Sequence, residues 1–162
     1  MPAAAELLTD PEVMRFLGGD VVPLEGHGAV VERWQERWRL NGMGPFMIER
    51  RSDGRFLGRS GIVLWDSRTW THTTVAEGGP SAQPELGWAL VRAEWGNGYA
   101  TEAARAVRDW VRGERNVSRL ISLIAPDNVG SQRVAERLGA LPTATVTLFD
   151  SWESVVWEHP GA

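Results

Sequence analysis

The sequence predicts an α+β domain, and the order of its segments is the main reason. Helix-like periodicity comes first, two strand-like segments follow, and strands then alternate with helices before two closing strand-like segments. The 162 residues contain no repeat and no low-complexity linker, so we expect residues 1–162 to form one domain.

Two helices are predicted in the first quarter of the chain. Asp10 precedes the proline of "PEVMRFL", which is typical of a helix start, and Gly18-Gly19 predicts the end of that helix. A second helix is predicted from about Gly28 to Leu40, where Trp34 and Trp38 are four residues apart and share a face.

Strand patterns occupy the next segment. "PFMIERR" and "RFLGRSGIVLW" are strand-like, and Ser52-Asp53-Gly54 between them predicts a hairpin. The polar stretch from Asp66 to Pro84 is predicted to be a long loop.

A strand–helix–strand–helix unit follows this loop. "ELGWALV" predicts a strand from Glu85 to Val91, and a helix with a continuous apolar stripe is predicted from about Tyr99 to Gly113. "RLISLIA" is apolar on both faces, which predicts a buried central strand, and a helix follows from about Val129 to Leu138. "TATVTLF" and "ESVVWEH" then predict a closing antiparallel pair.

The amino-acid composition excludes several kinds of catalytic and binding site. The chain has no cysteine and no lysine, since all 17 basic residues are arginine, so a thiol nucleophile, a Schiff base and a P-loop lysine are excluded. His27, His72 and His159 are far apart in sequence and show no metal-ligand spacing, so no metal site is predicted. His72 is expected at the surface of the long loop.

Charge and hydropathy bear on partners. The net charge is −4 without a basic stripe, which argues against a nucleic-acid partner. No apolar run is long enough to span a membrane, and the start lacks the features of a signal peptide. Together with the absence of cysteine, this favours a cytoplasmic protein; a monomer and a homodimer fit equally well.

The segment "EWGNGYATEAARAV" predicts an anion site. Its glycines allow close approach to the backbone, and the helix that follows has free N–H groups and a positive dipole end. Such a turn suits a phosphate or pyrophosphate. Thr101 stands where a dinucleotide fingerprint has its third glycine, so that fingerprint is excluded.

The strand before this turn has one face of mostly small residues. Glu85, Gly87, Ala89 and Val91 alternate onto it, and this leaves room for a ligand beside a carboxylate.

Two blocks, "ELGWALVRAEWGNGYATEAARAV" and "LISLIAPDNVGSQRVAERLGA", resemble the GNAT superfamily of acetyl-CoA-dependent N-acetyltransferases. Within it the chain is most similar to the branch that includes ribosomal-protein N-terminal (alanine) acetyltransferases. Gly98 and Ala100 fill the last two small positions of the superfamily's phosphate-binding pattern, and Gly96 is the additional common glycine. Trp95 occupies the usual Gln/Arg position, as is typical of this branch. The second block resembles N-x-x-S-x-x-V followed by a glycine.

The resemblance implies a mixed, mostly antiparallel twisted sheet, flanked by helices, in which two central parallel strands splay apart. It further implies that acetyl-CoA lies in the splay as acetyl donor and that an amine attacks the thioester directly in a ternary complex. On this view the cofactor contacts are Leu90, Val91, Trp95, Gly96, Asn97, Gly98, Tyr99, Ala100, Thr101, Asn128, Ser131 and Arg133.

Catalytic and acceptor residues are less directly implied. Glu85 is the candidate base or water-positioning group, and Ser131 is the candidate partner of the departing thiolate. Trp34 and Trp38 are candidates for the acceptor wall, with core packing as the alternative. Arg133 either contacts the cofactor or is simply exposed.

Two departures from the family pattern keep an alternative open. Ala135 stands where many members have a tyrosine acid, and the usual first strand is not evident before the first helix. A domain that binds CoA or acyl-CoA without catalysis, as a sensor or interaction module, is therefore the alternative to an N-acetyltransferase. A nucleotide-binding α/β domain is the weaker third reading.

Overall fold

The computed structural model describes residues 4–18 and 20–161, so Gly19 of the predicted helix end lies outside the described residues. Three helices open the chain: α1 (Ala5–Thr9), α2 (Pro11–Met14) and α3 (His27–Asn41). The side chain of Asp10 accepts a hydrogen bond from the Glu12 amide, as expected for a helix cap followed by proline. Helix α3 ends at Gly42, which has a φ of 62°.

Two antiparallel strands follow, β1 (Pro45–Glu49) and β2 (Phe56–Asp66). They form the hairpin that Ser52-Asp53-Gly54 predicts. A short helix, α4 (Val75–Gly78), interrupts the segment that leads to the next strand.

The remaining elements alternate as expected. They are β3 (Ala82–Leu90), α5 (Tyr99–Arg115), β4 (Ile121–Ile124), α6 (Val129–Arg137), β5 (Leu141–Leu148) and β6 (Trp152–Glu158).

In the described part of the chain, six strands form one sheet in the order β1-β2-β3-β4-β6-β5. Strands β3 and β4 are parallel, and every other neighbouring pair is antiparallel. The predicted α+β class and its mostly antiparallel sheet with a central parallel pair are confirmed. No strand precedes β1 among residues 4–18 and 20–161, in agreement with the sequence analysis.

Each face of the sheet is covered by helices. On one face, the predicted apolar stripe of α5 packs against β2 and β3 through Ala104, Val107 and Val111. On the other face, α1 and α2 pack against the end of β3, where Leu7 and Val13 contact Ala89. The face of β3 that carries Glu85, Gly87 and Ala89 is therefore the one turned toward the N-terminal helices.

One sequence prediction of local structure was wrong, and one helix was missed. The segment from Asp66 to Pro84 is not one long loop, because α4 lies within it and β3 already begins at Ala82. Ala82 pairs with Asp66 of β2, so this extension of β3 depends on a neighbouring strand rather than on local pattern. Helix α1 was not predicted.

Candidate active site

The turn between β3 and α5 has the backbone conformation that its glycines suggested. Gly96 and Gly98 have φ values of 81° and 84°, and no atom lies within 4 Å of where a Cβ would stand on either residue. Gly98 precedes Tyr99, the first residue of α5, and no side chain caps this helix end. The free amide groups of the first turn of α5 therefore face an open surface.

The surroundings of this turn hold it in place. The Trp95 indole N–H donates a 2.9 Å hydrogen bond to the Leu90 carbonyl, which ties the turn back to the end of β3. The Asn97 side-chain amide donates to the Glu94 carbonyl at 3.3 Å, and the buried Glu94 carboxylate lies 3.4 Å from the guanidinium nitrogens of Arg50 and of Arg55. Trp95, which stands at the Gln/Arg position of the family pattern, therefore contributes a neutral N–H donor to the backbone of the turn.

This turn fits a phosphate group. It offers glycine backbone without obstruction and the positive end of a 17-residue helix. Thr101 Oγ1, in the first turn of that helix, is buried and has no partner among the described residues. Ala100 is partly buried beside it against the α5 core.

Strands β3 and β4 are joined over a very short distance. Their one pair in register is Glu85 with Ile121, and the Ser122 hydroxyl donates to the Leu86 carbonyl at 2.6 Å. β3 continues to Leu90 without a paired residue on β4, so a gap opens toward the carboxyl ends of the two strands.

Backbone groups of β3 face this gap in alternation. The Val91 amide donates to the Leu57 carbonyl at 2.8 Å, so Val91 faces β2 and its amide is already engaged. In an antiparallel strand the neighbouring residue faces the other way, so the backbone of Leu90 is turned away from β2 and toward the gap. The Leu90 carbonyl already accepts from Trp95, so of the two predicted backbone contacts it is the Leu90 amide that has the suitable orientation.

The second predicted motif lies at the same end of the sheet, because α6 follows the parallel neighbour of β3. Asn128 caps α6, and its Oδ1 accepts a 3.1 Å hydrogen bond from the Ser131 amide. The Ser131 side chain is partly buried, Arg133 is exposed, and Ala135 is fully buried. The cap uses the backbone of Ser131 and leaves its hydroxyl available for another contact.

The Glu85 carboxylate is partly buried beside the parallel pair. Its Oε2 accepts a 2.9 Å hydrogen bond from Trp65 Nε1, and its Oε1 lies 3.6 Å from the place of an added Cβ on Gly87. Burial raises the pKa of Glu85, while the Trp65 hydrogen bond, the charges of Arg59 and Arg37 and the Leu123 amide act in the opposite direction. This carboxyl group is therefore shifted toward the pKa range that suits a general base.

Sequence reasoning missed three neighbours of Glu85: Trp65 and Arg59 come from β2, and Arg37 comes from α3. His72 stacks against Trp65 with ring centroids 4.4 Å apart, although the residue is exposed as predicted. Partial desolvation of the imidazole ring, and then the charge of Arg37, lowers the pKa of His72 although much of the residue is accessible to solvent. Residues from separate elements give no common signal in the sequence.

The two candidate acceptor tryptophans lie in different surroundings. Trp34 is buried among the N-terminal helices, and the Arg59 guanidinium lies 5.4 Å from its ring centroid. Trp38 packs on Phe46 and Trp110, and its indole N–H donates to the Pro45 carbonyl at 2.9 Å. Of the two, Trp34 adjoins the surroundings of Glu85.

This combination of sheet, glycine turn and diverging parallel strands defines an acyltransferase-like class of domain. Residues 1–141 match the family model for the acetyltransferase (GNAT) domain. The chain belongs to that family, as its sequence motifs predicted.

Individual proteins agree with this assignment. The chain is 34% identical to the uncharacterized protein YkkB of Bacillus subtilis (strain 168) over 141 residues, 86% of this chain and 74% of that protein. The structure of an acetyltransferase from Agrobacterium tumefaciens str. C58 is 28% identical, with a TM-score of 0.76 over 98% of this chain and 84% of that one.

The fold alone is shared with a more distant structure. The ribosomal-protein-alanine N-acetyltransferase from Brucella melitensis is 18% identical, with a TM-score of 0.67 over 99% of this chain and 93% of that one. No helix in residues 4–18 and 20–161 is both long and apolar enough to cross a membrane.

Proposed function

We propose that this protein transfers an acetyl group from acetyl-CoA to a primary amine, which is either a protein N-terminus or a small-molecule amine. The observation that carries the proposal is the open glycine turn at the start of α5, placed at the end of β3 where β3 and β4 separate. If the pyrophosphate of acetyl-CoA binds to this turn, the rest of the acetyl-CoA molecule can extend into the gap between β3 and β4. Membership of the acetyltransferase (GNAT) family supports the same reading.

The reaction asks for three things from the protein. Acetyl-CoA supplies a thioester whose carbonyl carbon loses its C–S bond and gains a C–N bond to the amine. The chain must hold the donor, bring a neutral amine to it and accept the proton that leaves the nitrogen.

Holding the donor falls to the turn and the gap. The amides of Gly96 to Thr101 bind phosphate oxygens, and the Leu90 amide donates to a carbonyl oxygen of the donor. Asn128 holds the first turn of α6 so that the Ser131 hydroxyl can donate to the sulfur as the C–S bond breaks.

Accepting the proton falls to Glu85, either directly or through one water molecule. Trp65 fixes one carboxylate oxygen, and the other, Oε1, lies over Gly87, where no side chain blocks it. Ala135 is fully buried and carries no acidic group, so proton delivery to the sulfur is left to Ser131 or to solvent.

A panel experiment tests the proposal. Acetyl-CoA binding is measured by calorimetry, and CoA release is followed with small amines, amino acids, polyamines and peptides with free N-termini. Binding together with turnover of at least one amine supports acetyl transfer. Tight binding without turnover on any amine would instead identify a domain that binds CoA or acyl-CoA without catalysis, and failure to bind acetyl-CoA would overturn both readings.

A further inference from the structure

Two arginine side chains beside Glu85 have no partner in the described part of the chain. Arg37 and Arg59 make no hydrogen bond or salt bridge within residues 4–18 and 20–161, and Nε of Arg59 is fully enclosed without an acceptor. Arg50 and Arg68, by contrast, each donate to an aspartate at 2.7 Å. A guanidinium normally meets a carboxylate or phosphate through paired N–H groups, so these two have unused binding capacity.

The charges around these arginines do not balance. Burial, followed by repulsion from Arg37, lowers the pKa of Arg59 to about 10, while Glu85 acts to raise it. Burial also lowers the pKa of Arg37, against the charge of Glu85. Glu85 is the one carboxylate among the described residues that raises either pKa. Arg37 and Arg59 thus share one carboxylate, and the charge of Arg33 also lowers the pKa of Arg37, so positive charge is in excess here. A partly buried excess charge is unfavourable without a counter-ion.

Gly87 leaves room beside the Glu85 carboxylate. Arg59, Gly61 and Val63 of β2 pair with Ala89, Gly87 and Glu85 of β3, so all six point to one face of the sheet. A Cβ added to Gly87 would meet only Oε1 of Glu85, at 3.6 Å, whereas the corresponding position on Gly61 is filled by the backbone of Gly44 and Pro45. The room for a small group therefore lies over Gly87, next to the free carboxylate oxygen.

Neighbouring aromatic side chains contact both Arg59 and Glu85. The Arg59 guanidinium lies over Trp34 at 5.4 Å, and Trp65 fixes Glu85 at 2.9 Å. Arg37 follows Trp34 by one turn of α3 and so reaches the same face. The positive and negative groups are thus held apart rather than joined as an ion pair.

We infer that the acceptor is an amine that also carries a carboxylate, with its carboxylate bound by Arg37 and Arg59 and its amino group directed to Glu85. A carboxylate supplies the two acceptor oxygens that a guanidinium binds through paired N–H groups, and its negative charge offsets the positive excess. The inference rests on the proposed acetyl transfer. The carboxylate belongs either to a free amino acid or to an acidic residue at a peptide N-terminus.

Matched amine pairs test this acceptor class. CoA release is measured at saturating acetyl-CoA for leucine against leucinamide, aspartate α-amide against asparaginamide, and C-amidated Asp-Ala-Ala-Ala against Asn-Ala-Ala-Ala. Rates are referred to the concentration of unprotonated amine. We expect the carboxylate member of at least one pair to have a kcat/KM higher by about tenfold or more, which corresponds to one good charged contact. The first two pairs report a small-molecule acceptor and the third a peptide.

Arginine variants then locate the contact. Arg37→Gln and Arg59→Gln are each expected to remove most of the preference by raising KM for the carboxylate member relative to the neutral member. Both charges also lower the pKa of Glu85, so the two members are compared within each variant. Arg39→Gln, an exposed position on the same helix, is the matched control and should keep the preference.

The outcomes separate this inference from the proposed function. Turnover with equal or better use of the neutral members overturns the inference and leaves acetyl transfer intact. A preference that survives both arginine variants overturns the assignment to Arg37 and Arg59. Absence of turnover on every amine overturns the acceptor class together with the proposed function.

Discussion

The indole N–H of Trp65 donates a 2.9 Å hydrogen bond to Oε2 of Glu85, across neighbouring strands of the sheet. The bond stabilises the ionised carboxylate and lowers the pKa of Glu85, in opposition to the burial that raises it. One residue therefore sets both the orientation and the basicity of the candidate base.

Glu85→Gln tests the base itself. Glutamine keeps the size of the side chain and its amide oxygen still accepts from Trp65, but it cannot take a proton. We expect kcat/KM at neutral pH to fall by about 10²-fold or more, with the Kd for acetyl-CoA unchanged. Glu114→Gln, an exposed position on α5, is the control. Wild-type turnover across the pH range would remove Glu85 from this role.

Trp65→Phe tests the tuning of Glu85. Without the indole donor the ionised form loses stabilisation, so the pKa of Glu85 rises. The acidic limb of the kcat/KM profile should move to higher pH, and the rate at pH 6 should fall by about threefold to tenfold. Trp110→Phe, in the aromatic cluster on α5, should leave the profile in place. An unmoved acidic limb in Trp65→Phe would contradict the assignment.

Gly98→Glu tests the phosphate turn. A glutamate there adds bulk and negative charge at the start of α5, so acetyl-CoA binding should fall below detection by calorimetry. Gly54→Glu is the control, because Gly54 has a φ of 69° and equally open surroundings, and the strain of about 1 kcal/mol should be similar. Unchanged affinity in a folded Gly98→Glu variant would rule out this turn as the phosphate site.

Variants of Asn128 and Ser131 distinguish a role in capping α6 from a role in the reaction. Ser131→Ala keeps the backbone amide that Asn128 caps, so we expect an unchanged Tm and a kcat lower by about threefold to tenfold. Asn128→Ala removes the cap and should lower Tm by about 2–4 °C. Equal kcat for Ser131→Ala and the unaltered protein would exclude a hydrogen bond from this hydroxyl to the sulfur.

The lowered pKa of His159 predicts how the free energy of unfolding depends on pH. It is buried, its Nε2 lies 2.9 Å from Ser122 Oγ, and burial followed by the charges of Arg108 and Arg112 lowers its pKa to about 4. The unfolded chain binds a proton below a pKa of about 6.5, whereas the folded chain binds it only near 4, so stability is lost as pH falls between those values.

The expected loss from His159 between pH 7 and pH 5 is about 2 kcal/mol in the free energy of unfolding. Urea denaturation at both pH values measures it, and His159→Gln should reduce the difference between them. An equal difference in the variant would place the sensitive group elsewhere, with His72, whose pKa is also lowered, as the next histidine to replace.

Local patterns predicted most of the fold. The stripe on α5, the hairpin glycine and the apolar β4 each depend on nearby residues, and each was predicted close to its observed position. The start of β3 was not, because Ala82 becomes a strand residue through its pairing with Asp66. The strand partner, and not the local sequence, decides the structure there.

The candidate site likewise contains some residues that local patterns predict and others that they do not. The glycine turn and the Asn128 cap are continuous motifs and could be read directly. Arg37, Arg59 and Trp65 are separated from Glu85 by 20 residues or more along the chain, and only the packing of α3 and β2 against β3 brings them to it. Their charges and hydrogen bonds are visible only in the folded molecule.

The short joint between β3 and β4 has a consequence for how the domain opens. Only one residue pair is in register across this line, fewer than between any other neighbouring strands of the described sheet. Side-chain hydrogen bonds of Ser122 and Arg119 also cross it, and it divides β1-β2-β3 from β4-β6-β5. A molecule bound in the gap would contact both halves of the sheet and hold them together. Amide hydrogen exchange at the gap-facing positions of β3 should therefore slow on ligand binding, and at lower ligand concentration than exchange in the outer strands. Exchange in β3 would then measure the occupancy of the site.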